Sequence, residues 1–293
     1  MKAIIFGANG QDGFFLKDIL LLNNIEPILV SRSDRFIKGD VSDPFFVRNI
    51  IRQYKPAYIF HLAAVSTTRH NVLFENYKAI CEGTNYILES VKDESPNTKV
   101  FLSGSAMQFE NKGVPIDEST PFAALSPYAV ARIYSVYAGR YYRNVFNLKV
   151  YVGYFFNHDS ELRSEEHVNQ KIIRCVQRIA KGSNEKLEIG SLNVKKEFNY
   201  AGDAVAAIWQ LVNQDKVMEV VIGSGVAYSI REWVKCCFEL INKNWEEHVV
   251  VKEDFVPEYD ILVSNPRLLF SLGWVPKVRF TDLARLMFSH ANN

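Results

Sequence analysis

The chain has 293 residues, 48% apolar and 23% charged, which reads as a globular protein with one large core or a main domain carrying a smaller one. Lys+Arg 34 against Asp+Glu 33 leaves a formal charge of +1, so no global field recruits nucleic acid or an anionic membrane, and an anionic ligand must be met locally. No apolar run nears the ~20 residues that span a bilayer. The residues after Met1 lack the basic and apolar regions of a secretory signal, so a cytoplasmic protein is expected. Cys81, Cys175, Cys236 and Cys237 show no CxxC or metal-ligand spacing and read as reduced, buried thiols.

The apolar run Ala3-Ile4-Ile5-Phe6 empties into Gly7, Gly10 and Gly13 and then into a helical pattern ending near Asn23. Strand, tight turn and helix start in this order predict a dinucleotide site: glycine lets the backbone approach a diphosphate, and the helix N-terminus attracts its charge. A second strand, Pro27–Val30, is followed by Ser31-Arg32-Ser33-Asp34-Arg35. Two arginines and two hydroxyls suit the 2′-phosphate of NADP(H); Asp34 leaves NAD open, since a carboxylate here accepts from the adenosine ribose. Asp40 is read as a contact to the adenine amino group, and Asp43-Pro44 as the cap of a helix over residues 45–54.

The strand Ala57–Ala64 ends in small residues, Leu62-Ala63-Ala64, where backbone can lie beside the cofactor. His61 within it is read as structural. A long helix is expected over residues 73–92, then a strand Lys99–Leu102 that ends in Ser103-Gly104-Ser105-Ala106-Met107-Gln108 at the ligand-binding edge of a parallel sheet. Ser126-Pro127 caps a helix on which Tyr128 and Arg132, four apart, face the same way. A strand near Leu148–Tyr154 leads to Phe155-Phe156-Asn157-His158-Asp159. A helix over 167–180, a strand at 186–190, a further helix after Asp203 and a last sheet strand at 220–224 follow, before a mostly helical tail. This alternation demands an α/β doubly wound parallel sheet (Rossmann) with a smaller, mostly helical C-terminal unit. The expected division is 1–156 with 193–224 for the dinucleotide, and 157–192 with 225–293 for the substrate.

With Ser105, Tyr128 and Arg132 set beside the glycine turn, the chain resembles the extended short-chain dehydrogenase/reductases that modify nucleotide sugars. It is most similar to the GDP-mannose 4,6-dehydratases and GDP-4-keto-6-deoxy-mannose reductases. Gly7-Ala8-Asn9-Gly10-Gln11-Asp12-Gly13, His61–Ala64, Ser126–Ala131, Phe155–Ser160, Gly190–Asp203 and Leu272-Gly273-Trp274-Val275-Pro276 carry the likeness over nearly the whole chain. The resemblance implies a tyrosine, here Tyr128, that exchanges a proton at the sugar C4 oxygen while hydride moves to or from the nicotinamide. A hydroxyl, here Ser105, holds that oxygen, and a lysine four residues after the tyrosine lowers its pKa and binds the nicotinamide ribose.

Two positions depart from that pattern. Arg132 replaces the lysine and keeps the charge in a planar, bulkier head. Met107 replaces the dehydratases' glutamate base, and a thioether takes no proton. The expected activity is therefore NADPH-dependent reduction of a nucleotide-linked 4-keto-6-deoxy sugar at C4. The alternatives are a 4,6-dehydratase or epimerase with its base elsewhere, and an impaired protein that only binds its ligands. The resemblance gives a cofactor set of Gly7, Asn9, Gly10, Gln11, Asp12, Gly13, Ser31, Arg32, Arg35, Asp40, Val41, Leu62, Ala63 and Ala64. The substrate set is Ser66, Met107, Asn157, Lys171 and Lys196, with Asp203 in support. The family's phosphate-binding arginine before Pro-x-Glu-Val-Asp is missing at Phe255-Val256-Pro257-Glu258-Tyr259-Asp260. No metal is expected, and a homodimer through two long helices is.

Overall fold

A computed structural model describes residues 1–289. β1 (Lys2–Phe6), α1 (Gln11–Leu22), β2 (Glu26–Ser31) and a short β3 (Ile37–Lys38) open the chain. α2 (Pro44–Tyr54) and β4 (Tyr58–His61) follow. α3 (Leu73–Asn76), a π-helical turn Tyr77–Glu82 and α4 (Gly83–Glu94) then lead to β5 (Lys99–Ser105), α5 (Pro127–Phe146) and β6 (Lys149–Phe155). The second half holds β7 (His158–Asp159), α6 (Val168–Ala180), β8 (Leu187–Ile189), β9 (Lys195–Glu197), β10 (Asn199–Tyr200) and α7 (Ala201–Val212). After these come β11 (Glu219–Ile222), β12 (Ala227–Ser229), α8 (Ile230–Glu239), β13 (Val249–Val251), β14 (Ile261–Leu262), α9 (Arg267–Ser271) and α10 (Phe280–Ser289).

Seven parallel strands form one sheet in the order β11-β6-β5-β4-β1-β2-β3. Both of its faces are covered, so Ala3, Ile4, Ile5 and Phe6 are all essentially inaccessible and the strand reads as a continuous apolar run. One face packs on α2, α4 and α5 through residues such as Val47, Ile87 and Val136. The other packs on α1, α7 and α9 through Leu16, Ile208 and Leu269. A third core unites α6, α8 and α10 around Trp233, whose ring stacks on Phe198 at 4.9 Å.

The caps expected from sequence form: Asp43 Oδ1 accepts from Phe45 N and Phe46 N, and Ser126 Oγ accepts from Ala129 N. All four cysteines are free and buried. Among the described residues no helix is long and apolar enough to cross a membrane. The helix expected over 73–92 is instead interrupted by the π-turn. The minor sheet β12-β9-β14 was not legible, since its strands are two or three residues long and carry no periodicity. Leu269 and Trp274, expected in the second unit, pack under the main sheet, where Trp274 Nε1 donates to Asp203 O.

Glu197, fully buried on β9, joins the two halves. Its Oε1 accepts from Ser264 N and Oγ at 2.6 Å each, and its Oε2 accepts from Ser224 N at 2.6 Å and Asn199 Nδ2 at 2.9 Å. A buried carboxylate needs such a set of donors to offset its desolvation. Because neighbours on a strand point oppositely, anchoring Glu197 turns Lys196 to the cavity.

Candidate active site

A cavity of about 790 Å³ opens at the carboxyl end of the parallel sheet, where β1, β4, β5 and β6 deliver their terminal residues. On its dinucleotide side, Gly7 has φ +91° and an added Cβ would lie 2.7 Å from Ala63 N; at Gly13 it would lie 2.7 Å from Ala8 Cα. These two glycines are required by close backbone contact. Gly10 differs, because its Cβ would meet nothing nearer than Gly7 O at 3.5 Å. Gly10 is the N-cap of α1 and gives it no side-chain bond, so the first N–H groups of the helix open towards the cavity wall formed by Gly10, Gln11 and Asp12. The turn therefore offers an uncapped, positive helix end with room beside it, which fits a diphosphate.

Asn9 Nδ2 donates to Ser33 Oγ at 2.5 Å, and buried Ser31 donates to Ser33 O. Arg32 and Arg35 are exposed beyond β2, with Arg35 5.4 Å over the Phe36 ring, while Asp34 pairs with Lys38 at 2.9 Å. Asp40 Oδ1 accepts from Ser42 N and Oγ, closing a local turn, and Val41 is buried beside Gly83. Leu62, Ala64 and Ser66 line the cavity; Ala63 instead backs Gly7. His61 lies outside the lining, and burial followed by the Arg132 charge pushes its pKa down to about 3, which holds the ring neutral.

At the centre Ser105, the last residue of β5, and Tyr128, in the first turn of α5, both line the cavity and are each 8% exposed. Ser105 is fixed by a capping box: its Oγ accepts from Met107 N at 3.2 Å and its N–H donates to Gln108 Oε1 at 2.8 Å. Met107 presents its thioether to the same space. Arg132 turns back onto β5, where its Nη1 donates to Ser103 O at 2.5 Å and Ser103 Oγ at 2.7 Å. The guanidinium sits 5.1 Å over the Tyr128 ring, and its buried Nε has no hydrogen-bond partner.

On the far side Asn157 lines the cavity with an unpartnered, buried Oδ1. Lys196 is 7% exposed and makes no ion pair within 4 Å among the described residues. Burial lowers its pKa, with nearby Arg163 adding to the effect and Asp159 opposing it. Lys171, expected with these two, is not in the lining; its ammonium donates to Glu188 O at 2.7 Å, because α6 turns that position towards β8. Asp203 serves the fold, accepting from Lys277 N and Val278 N.

Several lining residues around Asp12, which the sequence reading assigned to the cofactor, escaped that reading. Asp12 and His158 pair at 3.0 Å, Asp159 accepts from Asn169 Nδ2 at 2.6 Å, and Arg163 lies 3.7 Å from Asp159 and 3.4 Å from His167. Thr68 donates to Glu258 at 2.5 Å, closing the rim beside Arg69 and Tyr259. His158 and Asp159 stood inside a recognised motif; Arg163 and Thr68 had no local signal, since only the tertiary fold brings their loops to the cavity.

Fold and cavity together define a Rossmann-type α/β protein whose cavity, at the carboxyl end of the parallel sheet, is lined in part by residues of its C-terminal elements. The profile of the GDP-mannose 4,6 dehydratase family matches residues 4–287, so the chain belongs to that family. It is 30% identical to GDP-mannose 4,6 dehydratase 1 of Arabidopsis thaliana over 317 residues, covering 97% of this chain and 88% of that one. Among solved structures, RMD from Pseudomonas aeruginosa complexed with NADPH superposes with a TM-score of 0.87 at 19% identity, covering 99% and 97% of the two chains. The UDP-glucose 4-epimerase of Thermus thermophilus, a complex with NAD, does so at 0.86 and 19%, covering 100% and 99%. The fold is that of the extended short-chain dehydrogenase/reductases.

Proposed function

We propose that the chain binds a nicotinamide dinucleotide and a nucleotide-linked hexose in this one cavity and exchanges hydride at the sugar C4. The observation that carries it is the meeting of Ser105 and Tyr128 in a cavity that runs from the uncapped α1 N-terminus to Lys196. NADP(H), when bound, donates and accepts the hydride. Gly7, Gly10 and Gly13 would admit its diphosphate, with Asn9, Gln11 and Asp12 alongside, and Leu62 and Ala64 would border the nicotinamide half, with Ala63 holding the Gly7 turn from behind. Arg32 and Arg35 would meet the 2′-phosphate, with Ser31, Asp40 and Val41 shaping the adenosine end. Asp34, which would serve NAD instead, is paired with Lys38. Tyr128 moves the proton at the C4 oxygen, Ser105 holds that oxygen, and Arg132 acts on Tyr128 through its ring. Asn157 and Lys196 meet the nucleotide diphosphate, and Ser66 and Met107 border the sugar.

The relatives' shared name favours 4,6-dehydration of a GDP-hexose as the overall reaction, ahead of the C4 reduction expected from sequence. Reduction remains a second reading because Met107 lines the cavity where the dehydratases' base is expected, and elimination needs a proton acceptor that hydride transfer alone does not. Two incubations decide between them: GDP-mannose with NADP⁺, and its 4-keto-6-deoxy derivative with NADPH. A 4-keto-6-deoxy product in the first establishes the dehydratase, and loss of NADPH absorbance only in the second establishes the reductase. Neither reaction, with NADPH still bound, overturns both and leaves a binding protein.

The split of the chain into 1–156 with 193–224 and 157–192 with 225–293 stays part of this proposal. So does a homodimer. Val130, Tyr134, Tyr137, Tyr141 and Val145 recur every three or four residues along α5 with exposures of 42% to 58%, an apolar stripe suited to a second copy. Light scattering that returns only the monomer mass at micromolar concentration would refute it.

A further inference from the structure

The motifs Gly10–Gly13 and Asn157–Ser160 are far apart in sequence and meet at the cavity wall. His158 Nε2 lies 3.0 and 3.2 Å from the two carboxylate oxygens of Asp12, and His158 Nδ1 lies 2.9 Å from Phe156 O. A carboxylate and a carbonyl only accept, so both ring nitrogens must donate, and a ring with two N–H groups is an imidazolium. Beside this pair Gln11 Nε2 donates to His158 O at 3.2 Å, and Ser160 Oγ donates to Gln11 Oε1 at 2.9 Å. The side chains are mostly buried, at 11% exposure for His158 and 22% for Asp12.

We infer that Asp12 and His158, supported by Gln11 and Ser160, form a charged staple of positioning residues that sets the substrate-side segment 157–160 against the dinucleotide end of α1. The inference rests on the proposed function. Asn157 and Asp159 sit on either side of His158, so the staple fixes where the second ligand lies relative to the hydride donor. A misplacement of about 1 Å at such a point costs about a hundredfold in rate.

The charges facing the pair are Arg163, from the loop before α6, towards both partners and Arg132, from α5, towards Asp12. Burial opposes charge on both groups. The mutual attraction and hydrogen bonding outweigh it, raising the pKa of His158 and lowering that of Asp12. The staple is complete between the two values; it weakens as pH rises through the raised histidine value, and at the acid end as pH falls through the depressed aspartate value.

The test compares wild type with Asp12→Asn, His158→Gln and the double variant. Each single variant is expected to lose about a hundredfold in kcat, with KM for dinucleotide and nucleotide sugar changed less than about threefold, and the double variant no more than either single. Additive losses, or losses confined to KM, overturn the staple. A second readout needs no turnover. ¹⁵N spectra should show His158 doubly protonated at pH 7 in wild type and neutral at pH 7 in Asp12→Asn, where burial and Arg163 no longer face an opposing carboxylate. NADPH should shift the His158 and Asp159 amides in wild type far more than in Asp12→Asn. A singly protonated His158, or equal shifts in both proteins, overturns the inference; an inert wild type with the expected spectra overturns the proposed reaction alone.

Discussion

Two charged corners of one cavity put their cations to opposite use. At the Asp12–His158 corner the charge reaches across, from the segment after β6 to the first turn of α1, and ties together chain segments about 146 residues apart. At the Tyr128–Arg132 corner the guanidinium turns back on its own layer and spends its Nη1 on Ser103 of β5, leaving Nε unpartnered. By the sequence resemblance, the first corner falls within matching motifs and the second carries Arg132 where a lysine is expected. A buried cation does what its nearest acceptors allow. The Ser103 carbonyl lies in reach of a guanidinium branch that a point ammonium would not reproduce.

The contrast ranks the substitutions that can break it. The largest effect is expected at the altered corner: Tyr128→Phe removes the proposed proton carrier and should cut kcat by roughly a thousandfold, the scale of a lost general acid. If steady-state assays show less than a tenfold loss, the corner is not the reacting one. The staple variants come next, at about a hundredfold. Arg132→Lys is the mildest. It forfeits two buried bonds to Ser103, so thermal unfolding should move down by a few degrees, as a loss of about 1 kcal/mol does in a chain of this size. Freed from β5, the ammonium can face the cavity, and turnover should rise about tenfold. A fall in turnover with an unmoved melting temperature would show that Arg132 already serves the ligand where it stands.

The legibility of these corners differs for a physical reason. The glycine turn was readable because a close backbone approach admits one residue type, and Gly7 and Gly13 each meet backbone at 2.7 Å. Ser105 and Tyr128 were readable because a strand end and a capped helix start have local signatures. Lys171 was misplaced because the rotation of α6 about its axis, which points the ammonium at Glu188 O, depends on packing against Trp233 and its neighbours. Arg132 was identified, but its direction was not: nothing in four-residue spacing says that Ser103 will claim it.

The sequence by itself determined the alternating layers, the dinucleotide turn, the family and the two substitutions at Met107 and Arg132, since each is set by local periodicity, steric demand or residue chemistry. Only the tertiary structure decided which charges meet. Asp12 and His158 become an ion pair, Glu197 becomes a buried joint and Lys196 is left facing the cavity, because these outcomes depend on segments far apart in sequence that are brought into contact by the packing of three cores.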